Sequence, residues 1–318
     1  MAKKILITGI TGFVGSHLAD YILENFHDVE VHGLIRWRSP LDNIKHILNK
    51  ATLHHGDLQD LPSLISVLKE VKPSRIFHLA AQSYVVTSFS APINTLATNV
   101  IGTANILEAV RLLKLNPHIM ICSSAEVYGN RNGDTSPITE ETPLNPMSPY
   151  GVSKVAEDLL GYQYFLSHGM RIVRTRMFTH TGPRRGSVFA ESSFAKQIAE
   201  YEVGDRKYIS VGNLKSIRTI CDVRDAVKAY WLTDRCENGH AYNIGGTETL
   251  TMGEVLEKLM ILAGKNIPYK VIPKLIRPSD VTFQIPDTTK FKDATGWQPW
   301  ILVSKTLNDL LNYHRKHT

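Results

Sequence analysis

Cysteine is scarce in this 318-residue chain: Cys122, Cys221 and Cys236 are odd in number and scattered. That pattern excludes a disulfide scaffold and offers no metal-ligand spacing; it points to a reducing compartment, hence to the cytoplasm. No apolar stretch is long enough to cross a membrane, and the opening Met-Ala-Lys-Lys with its short, glycine-broken run does not read as a signal peptide. Basic residues exceed acidic ones by six, but they are not clustered with interleaved aromatics, so no nucleic-acid interface is expected. Internal repeats and low-complexity linkers are also missing. What remains is an ordinary soluble, enzyme-sized composition, 43% hydrophobic and 21% charged, long enough to bury a large core.

The apolar run Lys4-Ile5-Leu6-Ile7-Thr8 is followed at once by Gly9-Ile10-Thr11-Gly12-Phe13-Val14-Gly15 and then by a helical stretch. A strand, a G-x-x-G-x-x-G turn and a helix in that order let backbone approach a pyrophosphate, which the helix N-terminus stabilises. Further strands are expected at 29–35, 51–54, 74–79, 118–123 and 171–177, with helices at 61–71, 94–113 and 150–168. Such alternation predicts an α/β fold, a doubly wound parallel sheet of the Rossmann type. Beyond residue 178 glycine, proline and arginine interrupt the rhythm, which predicts a smaller substrate-binding lobe at the C-terminal end of the sheet. Residues 219–231 read as a strand and helix returning to the main sheet. The expected division is therefore 1–178 plus about 216–243 for the nucleotide-binding domain, and about 179–215 plus 244–318 for the lobe.

The second strand ends Ile35-Arg36-Trp37-Arg38-Ser39, with no acid to accept bonds from a ribose 2′-hydroxyl. Arg36 and Arg38 suit a 2′-phosphate, so NADP is favoured over NAD. Asp57 and Leu58, with Leu79, Ala80, Ala81 and Ser83, are expected to wall the same site. Tyr150 and Lys154 stand four apart at the start of a helix, on one face. An ammonium beneath a phenol favours its ionised form and makes it a base near neutrality. The hydroxyl completing this relay is expected from Ser124, at the end of the strand at 118–123.

These segments together resemble the extended short-chain dehydrogenase/reductase family over almost the whole chain: the glycine turn, His78-Leu79-Ala80-Ala81, Asn99-Val100-Ile101-Gly102-Thr103, the Ser124 segment, Ser148 to Lys154, and Asp287 to Pro299. Glu126 sharpens the likeness. Loss of water across C5 and C6 of a hexose needs a base for the C5 proton, and 4,6-dehydratases carry Glu at this place. Gly182 to Gly186, Val211-Gly212-Asn213-Leu214 with Arg218, and Arg277 to Val281 resemble the matching segments of GDP-mannose 4,6-dehydratases. The resemblance implies Ser124, Glu126, Tyr150 and Lys154 as catalytic residues and His180 and Arg185 on the cofactor side. It also implies Arg218 and Arg277 at the diphosphate or ribose, Asp280 at ribose hydroxyls and Asn213 beside them, with a GDP-linked hexose as substrate.

The pattern departs in two places. Ala125 replaces the Asp of thymidine-linked dehydratases or the Ser of GDP-mannose enzymes, and Thr179 replaces an Asn before His180. Pro146 to Gly151 and Phe194 to Ile198 are as similar to NADPH-consuming GDP-4-keto-6-deoxymannose reductases, so that activity stays open beside a 4-epimerase and a catalytically silent nucleotide-binding protein. Relatives pair through helices matching 94–113 and 150–168, which implies a homodimer or homotetramer.

Overall fold

The computed structural model describes residues 3–318. Seven parallel strands make the main sheet: β1 (Lys3–Thr8), β2 (Val29–Ile35), β3 (Ala51–His55), β4 (Arg75–His78), β5 (His118–Cys122), β6 (Ile172–Met177) and β10 (Ala241–Ile244). Their order is β10-β6-β5-β4-β1-β2-β3, which places the reversal of winding between β1 and β4. Ligands of such sheets bind outside the carboxyl ends of the strands at that point. Helices cover both faces, so the central strands are buried on two sides; every residue from Ile5 to Thr8 and from Ile172 to Met177 is buried.

Two helices carry most of the site. α1 (Phe13–Asn25) begins at the glycine turn, and α6 (Pro149–His168) begins where Ser148 Oγ accepts the Gly151 amide at 3.0 Å with Pro149 in the first turn. Before α6 come α2 (Leu61–Val71), α3 (Val85–Ser90), α4 (Pro92–Leu96) and α5 (Gly102–Leu112). The single helix expected at 94–113 is interrupted: Ala97–Ile101 forms a π turn between α4 and α5. Wide turns of this kind displace one side chain from the helical period and recur at functional sites. Within this turn Asn99 is buried, donating to Ser153 Oγ at 2.9 Å and bonding both backbone groups of Gln82.

The lobe has its own core. β7 (His180–Thr181), β9 (Ile217–Asp222), β11 (Glu248–Thr251) and β13 (Phe283–Gln284) form one sheet, while β8 (Ile209–Val211) pairs with β12 (Tyr269–Val271). α7 (Ala190–Glu202), α9 (Met252–Ala263) and α11 (Val303–Arg315) enclose Phe194, Ile198, Leu256, Leu259, Leu307 and Leu310. α10 (Thr289–Thr295) instead buries Phe291 against the main sheet.

One expectation is corrected here. The strand in 217–222 does not return to the main sheet; it pairs antiparallel with β11 and parallel with β13 and β7. Only the following helix, α8 (Val223–Trp231), returns, placing Val223, Val227 and Tyr230 in the core that also holds Leu18 and Ile22 of α1. The seventh strand of the main sheet is β10, paired with β6. Among the described residues no helix is long and apolar enough to cross a membrane.

Candidate active site

A cleft of about 760 Å³ runs along the carboxyl ends of β1, β4, β5 and β6 and under the lobe. At its floor the glycine turn is built for close approach. Gly9 has φ +74°, and a Cβ there would stand 2.9 Å from the Ala80 amide nitrogen; at Gly15 it would meet the Gly9 carbonyl oxygen at 2.2 Å. Side chains are excluded from both positions, and no side chain caps the N-terminus of α1. Bare amides at a helix start, with Thr11, Gly12, Phe13 and Val14 lining the cleft, fit a pyrophosphate. Asp57, Leu58, Leu79, Ala80, Ala81 and Ser83 continue the same wall.

Further along, Phe13 stacks on His180 at 5.8 Å, and the Arg185 guanidinium lies 3.6 Å above the Phe189 ring. Burial, helped by Arg185, lowers His180 to about 3, so its ring is neutral. Among the described residues His180 Nε2 and Arg185 Nε are buried without hydrogen-bond partners. An orphaned acceptor and an orphaned donor in a polar cleft call for a ligand. Together with the glycine cradle they fit a dinucleotide.

Arg36 lines the cleft at the end of β2, its amide bonded to Ser39 Oγ at 3.0 Å. Arg38 does not join it. Its guanidinium stacks 4.1 Å over the exposed Trp37 ring, outside the set of residues that line the cleft.

Ser124, Glu126, Tyr150 and Lys154 converge on the cleft from two elements. Ser124 starts a 3-10 turn, Ala125–Val127, and its Oγ accepts the Glu126 amide at 3.2 Å, which turns the Glu126 carboxylate toward the lobe. There it faces Gln284 Nε2 at 3.5 Å and Arg277 Nη1 at 3.9 Å. Lys154 is buried. Its Nζ donates to the Cys122 carbonyl at 2.9 Å and to Glu157 Oε2 at 3.0 Å, and lies 5.8 Å from the Tyr150 ring centroid. Burial works against the lysine's charge, but Glu157, Tyr150 and Cys122 raise it above its ordinary value.

The phenol behaves differently from expectation. Burial pushes Tyr150 up from its ordinary value, and the downward pulls of Lys154 and the Ser124 hydroxyl do not overcome it. The lysine lowers the phenol in kind but not in net effect, because burial outweighs it.

On the lobe side Asp280 organises the basic groups. Its Oδ2 accepts from Asn213 Nδ2 at 3.0 Å and Ser216 Oγ at 2.9 Å, while Oδ1 faces Arg277 at 3.4 Å and Arg218 at 3.8 Å. Two guanidinium forks held this way match a diphosphate. Residues that sequence reasoning passed over also open on the cleft: Glu191 from the first turn of α7, Gln284 from β13, and Ser39. Glu157 was equally missed, though its place three residues after Lys154 was in plain view.

A family model described as GDP-mannose 4,6 dehydratase matches residues 6–310. The GDP-mannose 4,6-dehydratase of Vibrio cholerae is 32% identical across 98% of this chain and 93% of its own length. The GDP-mannose 4,6-dehydratase sdnI of Sordaria araneosa is 29% identical; the match takes in 97% of this chain but 60% of that longer relative. Among solved structures, RMD from Pseudomonas aeruginosa, complexed with NADPH, superposes with a TM-score of 0.87 at 28% identity over the full length of both chains. The dTDP-glucose 4,6-dehydratase of Bacillus anthracis, in complex with NAD, gives 0.87 at 26% identity, covering 99% of this chain and 97% of that one. With its glycine cradle, its serine, carboxylate, phenol and lysine around one cleft, and a family match over nearly its whole length, this chain belongs to the GDP-mannose 4,6-dehydratase family.

Proposed function

We propose that the protein converts GDP-mannose, or a related GDP-hexose, to the 4-keto-6-deoxy sugar by losing water across C5 and C6. The observation that carries this reading is the Glu126 carboxylate opening on the same cleft as Ser124 and Tyr150. A phenol and a serine suffice to move the C4 hydroxyl proton; a separate carboxylate is what removal of the C5 proton requires. Tyr150, in its phenolate form, accepts the C4 proton, with Ser124 sharing the hydrogen bond. When bound, the nicotinamide supplies the redox half, taking a hydride from C4 and returning it at C6. Glu126 removes the C5 proton and, as its conjugate acid, passes it to the departing C6 oxygen, since Ala125 has no acid to offer. The proton kept at Tyr150 balances the one C5 regains at the end, so the net change is one water lost. Arg218 and Arg277 hold the diphosphate and leave the hexose beside Glu126.

Incubation with GDP-mannose, with and without NADPH, followed by mass spectrometry tests the reading. Loss of eighteen mass units (~18, one water) without consumption of NADPH is expected. Stoichiometric NADPH oxidation on a 4-keto sugar would replace it with ketone reduction. That second reading draws on the protonated state burial imposes on Tyr150, which suits a proton donor.

The nicotinamide cofactor we assign is NADP, because Arg36 and no acid stands at the end of β2. NADP is expected to raise the melting temperature more than equal NAD, and Arg36→Ala to remove about tenfold of the preference. Equal shifts in the wild type would overturn the assignment. Three unpaired cysteines suit a cytoplasmic setting.

We also assign a dimer. Val152, Leu159 and Leu166 recur every seven residues on the exposed face of α6, beside exposed Ile101 and Leu112. A stripe of this kind on adjoining helices suits pairing with its own copy in a four-helix arrangement. The L159R/L166R variant is expected to elute as a folded monomer in light-scattering chromatography; an unchanged mass would place the interface elsewhere.

A further inference from the structure

Glu157 is a buried acid that the reaction as drawn does not use. It sits on α6 one turn beyond Lys154, its side chain 1% exposed, and binds the lysine at 3.0 Å. An ammonium meant to stabilise a phenolate has no need of a carboxylate at its other side. We propose that Glu157 is a positioning residue for the Tyr150–Lys154 pair: it anchors the ammonium against the Cys122 carbonyl and offsets part of its charge, which weakens the pull of Lys154 on the Tyr150 phenol. The inference rests on Tyr150 being the group that exchanges a proton with the sugar, a role common to dehydration and ketone reduction.

The charges around the phenol bear this out. From its own helix Tyr150 faces Lys154, which draws it down, and Glu157, which pushes it up. From β5 come the Ser124 hydroxyl, which draws it down, and Cys122, a thiol that burial keeps neutral. Arg185 from the loop before α7 and Tyr230 from α8 also sense it. His78 of β4 lies near Lys154 and is neutral, lowered by burial to about 3. Burial raises Glu157 itself to about 7 against the pull of Lys154 and the Thr103 hydroxyl of α5, so its charge is complete over the alkaline range where a phenol titrates; the charge of its neighbour Asp158 is taken up by Arg174 and Arg176. Among these groups Glu157 is the anion whose charge is free to act on the lysine. Removing that charge while keeping the shape leaves the pull of Lys154 opposed by burial and Cys122 but no longer by Glu157.

The test titrates Tyr150 directly. With enzyme saturated by NADP⁺, tyrosinate absorbance is followed against pH in wild type and Glu157→Gln, each after subtraction of the matching Tyr150→Phe protein. The Tyr150 midpoint is expected to fall by about one pH unit in E157Q. A midpoint that stays put or rises overturns the proposal, even if the variant is less heat-stable, because a purely structural carboxylate would move stability alone. Should E157Q fail to fold, Glu157→Asp, whose shorter side chain draws the carboxylate back from the ammonium, is titrated in its place. A lower midpoint supports the proposal; an unchanged midpoint overturns it. No sugar is present in either measurement, so failure here is distinct from failure of the dehydratase reading.

Discussion

Replacing Glu126 by Gln lowers the dehydration rate by about a thousandfold and leaves nucleotide and cofactor affinity close to wild type. The size follows from the role: a positioned general base contributes typically 10²–10⁴, and glutamine keeps the shape but cannot take the C5 proton. Structural damage is small by comparison. The Arg277 contact at 3.9 Å is partly exposed and long, which makes it worth less than about 1 kcal/mol, and an amide still offers an oxygen to Gln284 at the 3.5 Å contact. The C4 oxidation does not need Glu126. Adding GDP-mannose to the NADP-loaded variant should therefore raise the absorbance of reduced nicotinamide while no water is lost. Single-turnover mass spectrometry alongside that absorbance separates the two steps. A variant that dehydrates at the wild-type rate would take Glu126 out of the reaction, and with it the observation on which the proposed function stands.

Much of this site could be read from the chain because its parts lie at the ends of strong local signals. β2 and α2 fall on their expected residues, 29–35 and 61–71, where periodicity and flanking turns agree. Ser124 and Glu126 follow directly from where β5 stops, and Tyr150 and Lys154 from where α6 starts. The failures share a cause as well. A short apolar run such as β9 carries no information about which sheet it will join, so its pairing with β11 had to come from three dimensions. The π turn at 97–101 shifts the helical register by less than one residue and leaves the pattern looking continuous. Arg36 and Arg38 are equivalent as letters; only the path of the turn puts one in the cleft and stacks the other on Trp37. Gln284 reaches Glu126 across 158 positions of sequence, beyond any motif. Glu157 was in plain view and passed over: an acid three residues after a lysine is an ordinary surface pair until both are known to be buried.

Asp158→Asn is expected to destabilise the protein by about 3–5 kcal/mol, because it strips the counter-charge from two buried arginines at once. Asp158 is fully buried on α6, and β6 brings Arg174 and Arg176 to it; Arg176 alone binds both carboxylate oxygens, at 2.9 and 3.1 Å. The same guanidinium spans to the Glu140 carbonyl at 2.8 Å and the Tyr128 hydroxyl at 3.1 Å, so one carboxylate ties the catalytic helix to the sheet and to the loop before it. Asparagine can accept one of these bonds but leaves positive charge unbalanced. A fall in melting temperature of roughly 6–10 °C follows for a chain of this size. The pH dependence gives a stricter check. Burial favours the neutral acid, yet Arg176 and Arg174 hold Asp158 below its ordinary 3.8. A carboxylate depressed in the folded state adds stability that is complete above its ordinary value and drains away as pH falls through the depressed one. The gap between wild type and Asp158→Asn should thus be constant from neutral pH down to about 4 and narrow below it. Melting curves at stepped pH measure that gap, and a difference that stays constant into stronger acid would assign the loss to packing rather than to the charge on Asp158.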